Sequence, residues 1–271
     1  MYMKRLILIA TVFLYSFANA QSTSPYEWKW VRDGIWTGAA FGTSAYGLIL
    51  IQNKDDISEV AVNNLDSDDI NFIDRWAAGN SSESANNISD IPFAASFALP
   101  LGLLFDDEIN DHSGQYIGMY LQSLSTTSAI YTITAGLVNR SRPYVYDENV
   151  NMDRRTSNNG QRSFYSGHVA AAATATFFAA KVYCDFNPDA TGKGFIWAGA
   201  AAVPVAISYF RLQAGQHFLT DIVLGYALGA ATGILIPEMH KIKNNSFDVQ
   251  PVGGRNFRGE NYTGLAFRYT F

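Results

Sequence analysis

Six long stretches nearly free of charge dictate what this chain can fold into. Residues 34–52, 114–139 and 194–210 contain no charged side chain, 91–105 is apolar, 163–180 holds a single histidine, and 218–237 has Asp221 as its only charge. All exceed ordinary strand length and are rich in Ala and Leu, so the pattern predicts six helices. Between the first two runs, residues 53–90 are acidic and polar, with an amphipathic piece around 70–78. This connection ends in GNSSESANN at 79–87, whose composition predicts a flexible loop.

The runs are long enough to cross a bilayer, for which 18 or more apolar residues is the usual threshold. Their content points the other way. Gly, Ala, Ser and Thr dominate over Leu and Ile, and the mean hydropathy of -0.01 is low for a six-span protein. Small residues permit close helix packing in either solvent. Hydropathy therefore favours a helical domain that does not span. With 48% hydrophobic residues in 271, the chain can fill one sizeable core. A net charge of -5 gives no general attraction to nucleic acid. One cysteine, Cys184, excludes an intramolecular disulfide and a cysteine metal cluster, and reads as a small buried hydrophobe.

The two ends differ from the middle. Residues 1–21, MYMKRLILIATVFLYSFANAQ, have two positive charges, an apolar run and an Ala-x-Ala ending, the pattern of a secretory signal cleaved before Gln21. After Lys243, residues 247–252 and 264–271 are short, aromatic-rich and separated by Gly253-Gly254 and the polar 258–261, which predicts a β-hairpin over 244–271. Leu265, Phe267, Tyr269 and Phe271 alternate with Ala266, Arg268 and Thr270, as in the last strand of an outer-membrane barrel. One hairpin cannot satisfy its backbone across a bilayer, so the expectation is a hairpin packed on a helical domain at 21–243.

Chemistry concentrates at the ends of the runs. His217 and Asp221 are four apart, and on a helix beginning near Gln216 they would share a face. A carboxylate on Nδ1 would leave Nε2 as a free lone pair, a base or a nucleophile; a surface hydrogen bond is the plainer outcome. Arg211, just upstream, can bind an oxyanion with two donors. Ser166-Gly167-His168 opens the fourth run, where the unpaired amides of a helix start form an anion site. Ser166 reads equally as an N-cap, and His168 as a solvated first-turn residue. Arg142 precedes the helix-ending Pro143. Five of twelve arginines, Arg140, Arg142, Arg154, Arg155 and Arg162, crowd one connection of an acidic chain.

Together, Arg142-Pro143, Ser166-Gly167-His168 and Arg211-x5-His217-x3-Asp221 resemble the motifs of the type 2 phosphatidic acid phosphatase (PAP2) superfamily, which includes class A acid phosphatases, lipid phosphatases and vanadium haloperoxidases. The resemblance covers roughly residues 114–237 and implies an all-α six-helix bundle of the acid phosphatase-haloperoxidase type, here with a C-terminal hairpin. It implies that His217 attacks phosphorus, that Asp221 holds its ring, and that His168 protonates the leaving oxygen and then activates water. Arg142, Ser166, Gly167 and Arg211 would hold the phosphoryl oxygens. No metal or cofactor is implied. The substrate would be a phosphomonoester or a lipid phosphate or pyrophosphate, with membrane association and no nucleic acid. The alternatives are a vanadate-dependent haloperoxidase and a non-catalytic envelope protein.

The chain departs from the pattern at three points. Ala135 stands where the family has a lysine, and Arg140, Arg154, Arg155 or Arg162 is expected to compensate. Tyr165 replaces a proline and Phe210 a serine. Export places the protein in the periplasm or envelope membrane of a Gram-negative-type cell. Six crossings from a free Gln21 would instead turn the reactive loops to the cytoplasm. A non-spanning periplasmic domain, or an uncleaved anchor with embedded helices, resolves the conflict.

Overall fold

The computed structural model describes residues 24–242, 247–255 and 258–269; the signal segment lies outside them. Two units are present, one ending at His240 and one comprising Lys241 onward. The first holds six long helices: α1 (Trp30–Gln52), α2 (Glu83–Gly102), α3 (Ser113–Leu137), α4 (Gly167–Phe186), α5 (Lys193–Gln213) and α6 (Leu219–His240). The predicted count of six holds. The expected loop at 79–87 does not, because Ser82 accepts the Ala85 amide at 3.3 Å and starts α2 at Glu83. A serine N-cap followed by an acid in the first turn offsets the polar composition that suggested a loop.

The helix α4 is the hub, packing against α2, α3, α5 and α6, while α1 lies along α3. Its alanines explain the arrangement. Ala170, Ala172, Ala173 and Ala175 are fully buried, and side chains this small let four neighbours approach one axis. On α6 the glycines at 225, 229 and 233 face the carbonyls of Ser166, Ala170 and Thr174, so the two helices meet backbone to backbone. Polar side chains inside the bundle are satisfied locally or across it: Thr127 and Thr174 share a 2.7 Å hydrogen bond, and Thr176 donates to the Ala200 carbonyl at 2.8 Å.

This distribution overturns the argument from mean hydropathy. Many of the Ser, Thr and Gly that lower the average are interior, among them Ser44, Ser96, Ser123, Thr127, Thr174 and Gly229, whereas the outward faces carry Trp30, Ile35, Phe41 and Ile49 on α1, Ile91 and Leu99 on α2, Phe195 and Val205 on α5, and Val223 and Leu235 on α6. Among the described residues, α1, α2 (extended to Phe105), α4, α5 and α6 are long and apolar enough to cross a membrane. An apolar exterior around a small-residue interior is the solution that lipid selects, and the protein is a membrane protein.

The helices alternate in direction. The ends of α1, α3 and α5 and the starts of α2, α4 and α6 therefore share one end of the bundle. Lys54, just past α1, caps α3 there, donating to the carbonyls of Ala135 at 2.9 Å and Val138 at 2.6 Å. The second unit is an antiparallel hairpin, β1 (Phe247–Arg255) and β2 (Asn261–Tyr269), with Val249 opposite Phe267 and Pro251 opposite Leu265. Both strands run closer to the turn than the predicted ranges, and Phe271 lies outside the described residues.

Candidate active site

The site is assembled where α3, α5 and their successors turn. Gly215, at φ 65°, makes the turn after α5 with no room for a side chain, because the Asn80 carbonyl occupies the place of a Cβ. This turn delays α6, which begins at Leu219 and leaves His217 outside either helix. The expected helix face shared by His217 and Asp221 is thus absent, and Asp221 does not hold the ring. Instead Nδ1 of His217 faces the Ser163 carbonyl at 2.6 Å, which assigns the proton to Nδ1 and the lone pair to Nε2. Asp221 acts one step back: its carboxylate accepts from the Ser163 hydroxyl at 2.6 Å and the Phe218 amide at 3.0 Å, and pairs with Arg140.

Behind this contact lies a polar network. Arg140 bridges Asp221 and Asp74, both wholly buried, and its guanidinium lies 4.8 Å from the centre of the Phe218 ring. Asp74 also accepts from the Thr220 amide at 2.9 Å and from Asn71 at 2.8 Å. Burial pushes the Asp74 carboxyl up, but the hydrogen bonds from Thr220, Asn71 and Arg140 outweigh it and hold its pKa below the usual carboxylate range. Arg140 is thus committed to this network. Arg155 is committed elsewhere, buried and donating from Nε to the Val145 carbonyl at 2.8 Å. Neither lines the cavity described next, so the expectation that either replaces the lysine at Ala135 is corrected.

A polar cavity of about 620 Å³ opens at this end, walled by Glu83, Asn86 and Asp90 of α2, Tyr131 of α3, Arg142, Arg154, Asn159, Arg162, His168, Arg211 and Gln216. His217 follows Gln216 and is buried behind this lining, 1% exposed. Arg142 and Arg211 are 6% and 5% exposed. Arg142 donates to the Gln216 side chain and, from Nε, to the Arg162 carbonyl at 3.3 Å; Arg211 donates to Asn86 at 2.9 Å. His168 lies with its ring centre 4.2 Å from that of Phe93 and its Nε2 3.7 Å from Asp90. Gly167 has no room for a side chain because the Tyr131 ring covers it.

Five polar atoms here are buried without a partner: the hydroxyls of Tyr144, Tyr165 and Ser166 and the Nε atoms of Arg162 and Arg211. Orphaned donors of this kind are costly, so they mark a place prepared for an acceptor. Ser166 occupies the N-cap position of α4 yet makes no cap bond, which removes the plain capping reading. Burial depresses the His217 pKa well below its ordinary value, the charges of Arg142 and Arg211 add to this, and the Ser163 carbonyl only partly opposes it. The imidazole is neutral at physiological pH, as a nucleophile must be.

Of the residues expected from the motifs, Arg142, His168 and Arg211 line the cavity, Ser166 and Gly167 stand at the start of α4, and His217 follows the lining residue Gln216. Sequence spacing missed Ser163, Asp74, Asn86, Asp90, Tyr131 and Gln216. Asp74 alone carried a local signal, as the only acid in the amphipathic piece 70–78.

A buried neutral histidine, a second histidine and orphaned guanidinium donors at one end of a helical bundle form a site suited to holding and transferring a phosphoryl group. The model of the PAP2 superfamily matches residues 117–245, and this segment, which contains every motif above, belongs to that superfamily. No curated protein matches the chain. Among solved structures, a transmembrane PAP2 type phosphatidylglycerolphosphate phosphatase from Bacillus subtilis is similar, at 22% identity and a TM-score of 0.47, over 76% of this chain and 98% of that one.

Proposed function

We propose that the protein hydrolyses a phosphate ester of a membrane lipid through a phosphohistidine at His217. The observation that carries this is the hydrogen bond from His217 Nδ1 to the Ser163 carbonyl, which leaves Nε2 unprotonated beside Arg142 and Arg211. Nε2 attacks phosphorus, the ester P–O bond breaks, and protonated His168 gives its proton to the leaving oxygen. Water then attacks the phosphohistidine, losing a proton to His168, and phosphate departs. Arg142, Arg211, the Ser166 hydroxyl and the Gly167 amide hold the phosphoryl oxygens. Positioning and charge stabilisation of this kind do most of the work in phosphoryl transfer. Since the guanidiniums supply that charge, turnover is expected to continue in EDTA.

A lipid substrate follows from the placement of the cavity at the end of an apolar-faced bundle. Brief exposure to ³²P-labelled substrate and an alkaline quench should leave label on His217 and none on His217→Ala. Continued phosphate release by His217→Ala would sink the mechanism. We also propose that the site faces the exported side of the envelope membrane. Cys184, near the far end of α4, then lies on the cytoplasmic side. An impermeant maleimide should spare it in intact cells and label it in inverted vesicles; labelling in intact cells reverses the orientation.

A further inference from the structure

Helix α2 presents one face to two parts of the site. Asn86 accepts from Arg211 at 2.9 Å and Ser89 does so at 3.4 Å, while Asp90 and Phe93 meet His168. Positions three, four and seven apart share a helix face, so one stripe of α2 serves both the arginine and the histidine. The Phe93 ring lies against the imidazole at 4.2 Å between centres, and the Asp90 carboxylate stands 3.7 Å from its Nε2. Among the described residues, Asp90 is the one carboxylate that pairs with His168.

The surroundings make this carboxylate consequential. A general acid must hold a proton, and the imidazolium form of His168 is opposed by like charge from Arg142, Arg154, Arg162 and Arg211 in the same cavity. Tyr131 of α3 and the neutral His217 behind the lining add no negative charge. Only the α2 wall opposes the guanidiniums, through Asp90 and through Glu83 two turns earlier. The Asp90 charge also bears on Arg211. At 3.7 Å from Nε2 it is within ion-pair range but beyond a hydrogen bond. It therefore favours the charged ring without locking the Nε2 proton, which stays available to an oxygen placed beside it.

We propose that Asp90 is a positioning residue for the general acid: it keeps His168 protonated and, with Phe93, aims the ring at the leaving oxygen. This rests on the histidine mechanism above and adds the residue that sustains its acid. In the first step the P–O bond of the ester breaks as His168 passes its proton to the leaving oxygen and becomes neutral. In the second, water gives a proton to His168 as its oxygen bonds to phosphorus and the bond from His217 to phosphorus breaks. Asp90 stays ionised throughout and touches neither phosphorus nor the leaving group. A carboxylate on the cavity wall also repels the substrate phosphate, so its loss should not weaken binding.

The test is the pH dependence of kcat for the full-length protein in detergent, with phosphatidate in mixed micelles and with p-nitrophenyl phosphate. The Asp90 side chain is 61% exposed, so the isosteric Asp90→Asn leaves the fold intact. Removing a negative charge beside an imidazolium weakens its hold on the proton. The alkaline limb with phosphatidate should therefore move about one pH unit or more to lower pH. At neutral pH kcat should fall roughly tenfold, KM should stay level or drop, and Asp90→Glu should restore most of the rate. With p-nitrophenyl phosphate, whose leaving group needs no proton, the substitution should cost little. An alkaline limb that stays in place in Asp90→Asn, an equal loss on both esters, or a raised KM with kcat intact overturns the assignment. No phosphate release from either ester by the wild type, or a wild-type alkaline limb in His168→Ala, overturns the underlying mechanism instead.

Discussion

The two ends of the bundle use the same residue types to opposite effect. At the far end Lys181 pairs with Asp185 and with Glu238 at 2.7 Å, Tyr26 donates to Asp185 at 2.7 Å, and Arg32 pairs with Asp33. His240 there is buried, with its two ring nitrogens 3.1 Å from the Glu27 carbonyl and 2.7 Å from the Gln122 side chain, and it stacks on Trp28 at 5.3 Å. There Trp28 Nε1 is buried without a partner, whereas at the other end four arginines pair with no carboxylate among the described residues and three hydroxyls, of Tyr144, Tyr165 and Ser166, and two guanidinium nitrogens lack any partner. Saturated polar groups tie helices together; unsaturated ones await a ligand. The difference separates what holds the bundle from what the bundle does.

After the loss of the nucleophile His217, the largest expected effect at the site end is from His168→Ala, which should slow turnover by roughly 10²–10⁴-fold as a lost general acid does. The loss should shrink with a p-nitrophenyl ester, whose leaving group needs no proton. An equal loss on both esters would remove His168 from that role. A smaller effect is expected from Asp74→Asn, which leaves Arg140 a single carboxylate and loosens the Asp221–Ser163 contact behind His217. Here kcat should fall on the order of tenfold with KM little changed, the signature of a misplaced nucleophile. An unchanged kcat with a raised KM would instead put Asp74 in substrate binding.

The far end should answer in stability alone. His240→Ala strands Gln122 and the Glu27 carbonyl, costing about 1–3 kcal/mol, read as a lower melting temperature in detergent. Its kcat should stay within about twofold, because α6 separates the two ends by roughly 33 Å. A large loss of activity would erase the distinction between the ends.

Much of the site was legible because three of its parts are short motifs with fixed spacing. The error at Asp221 shows the limit. The i,i+4 rule assumes a helix already formed at His217, and the Gly215 turn moves its start to Leu219. Ser163, Gln216 and Tyr131 left no trace because each meets its partner across the fold, where no local spacing records the contact. Arg140 and Arg155 were grouped with Arg154 and Arg162 by proximity in the chain, yet only the latter two face the cavity.

By itself the sequence determined the six helices, the motif residues of the site and the hairpin, since these follow from periodicity, local turn chemistry and motif spacing. The tertiary structure alone decided three things: which face of each helix meets lipid, which carbonyl orients His217, and which arginines stay unpaired. Each depends on contacts between residues far apart in the chain, where packing chooses among partners that composition leaves equivalent.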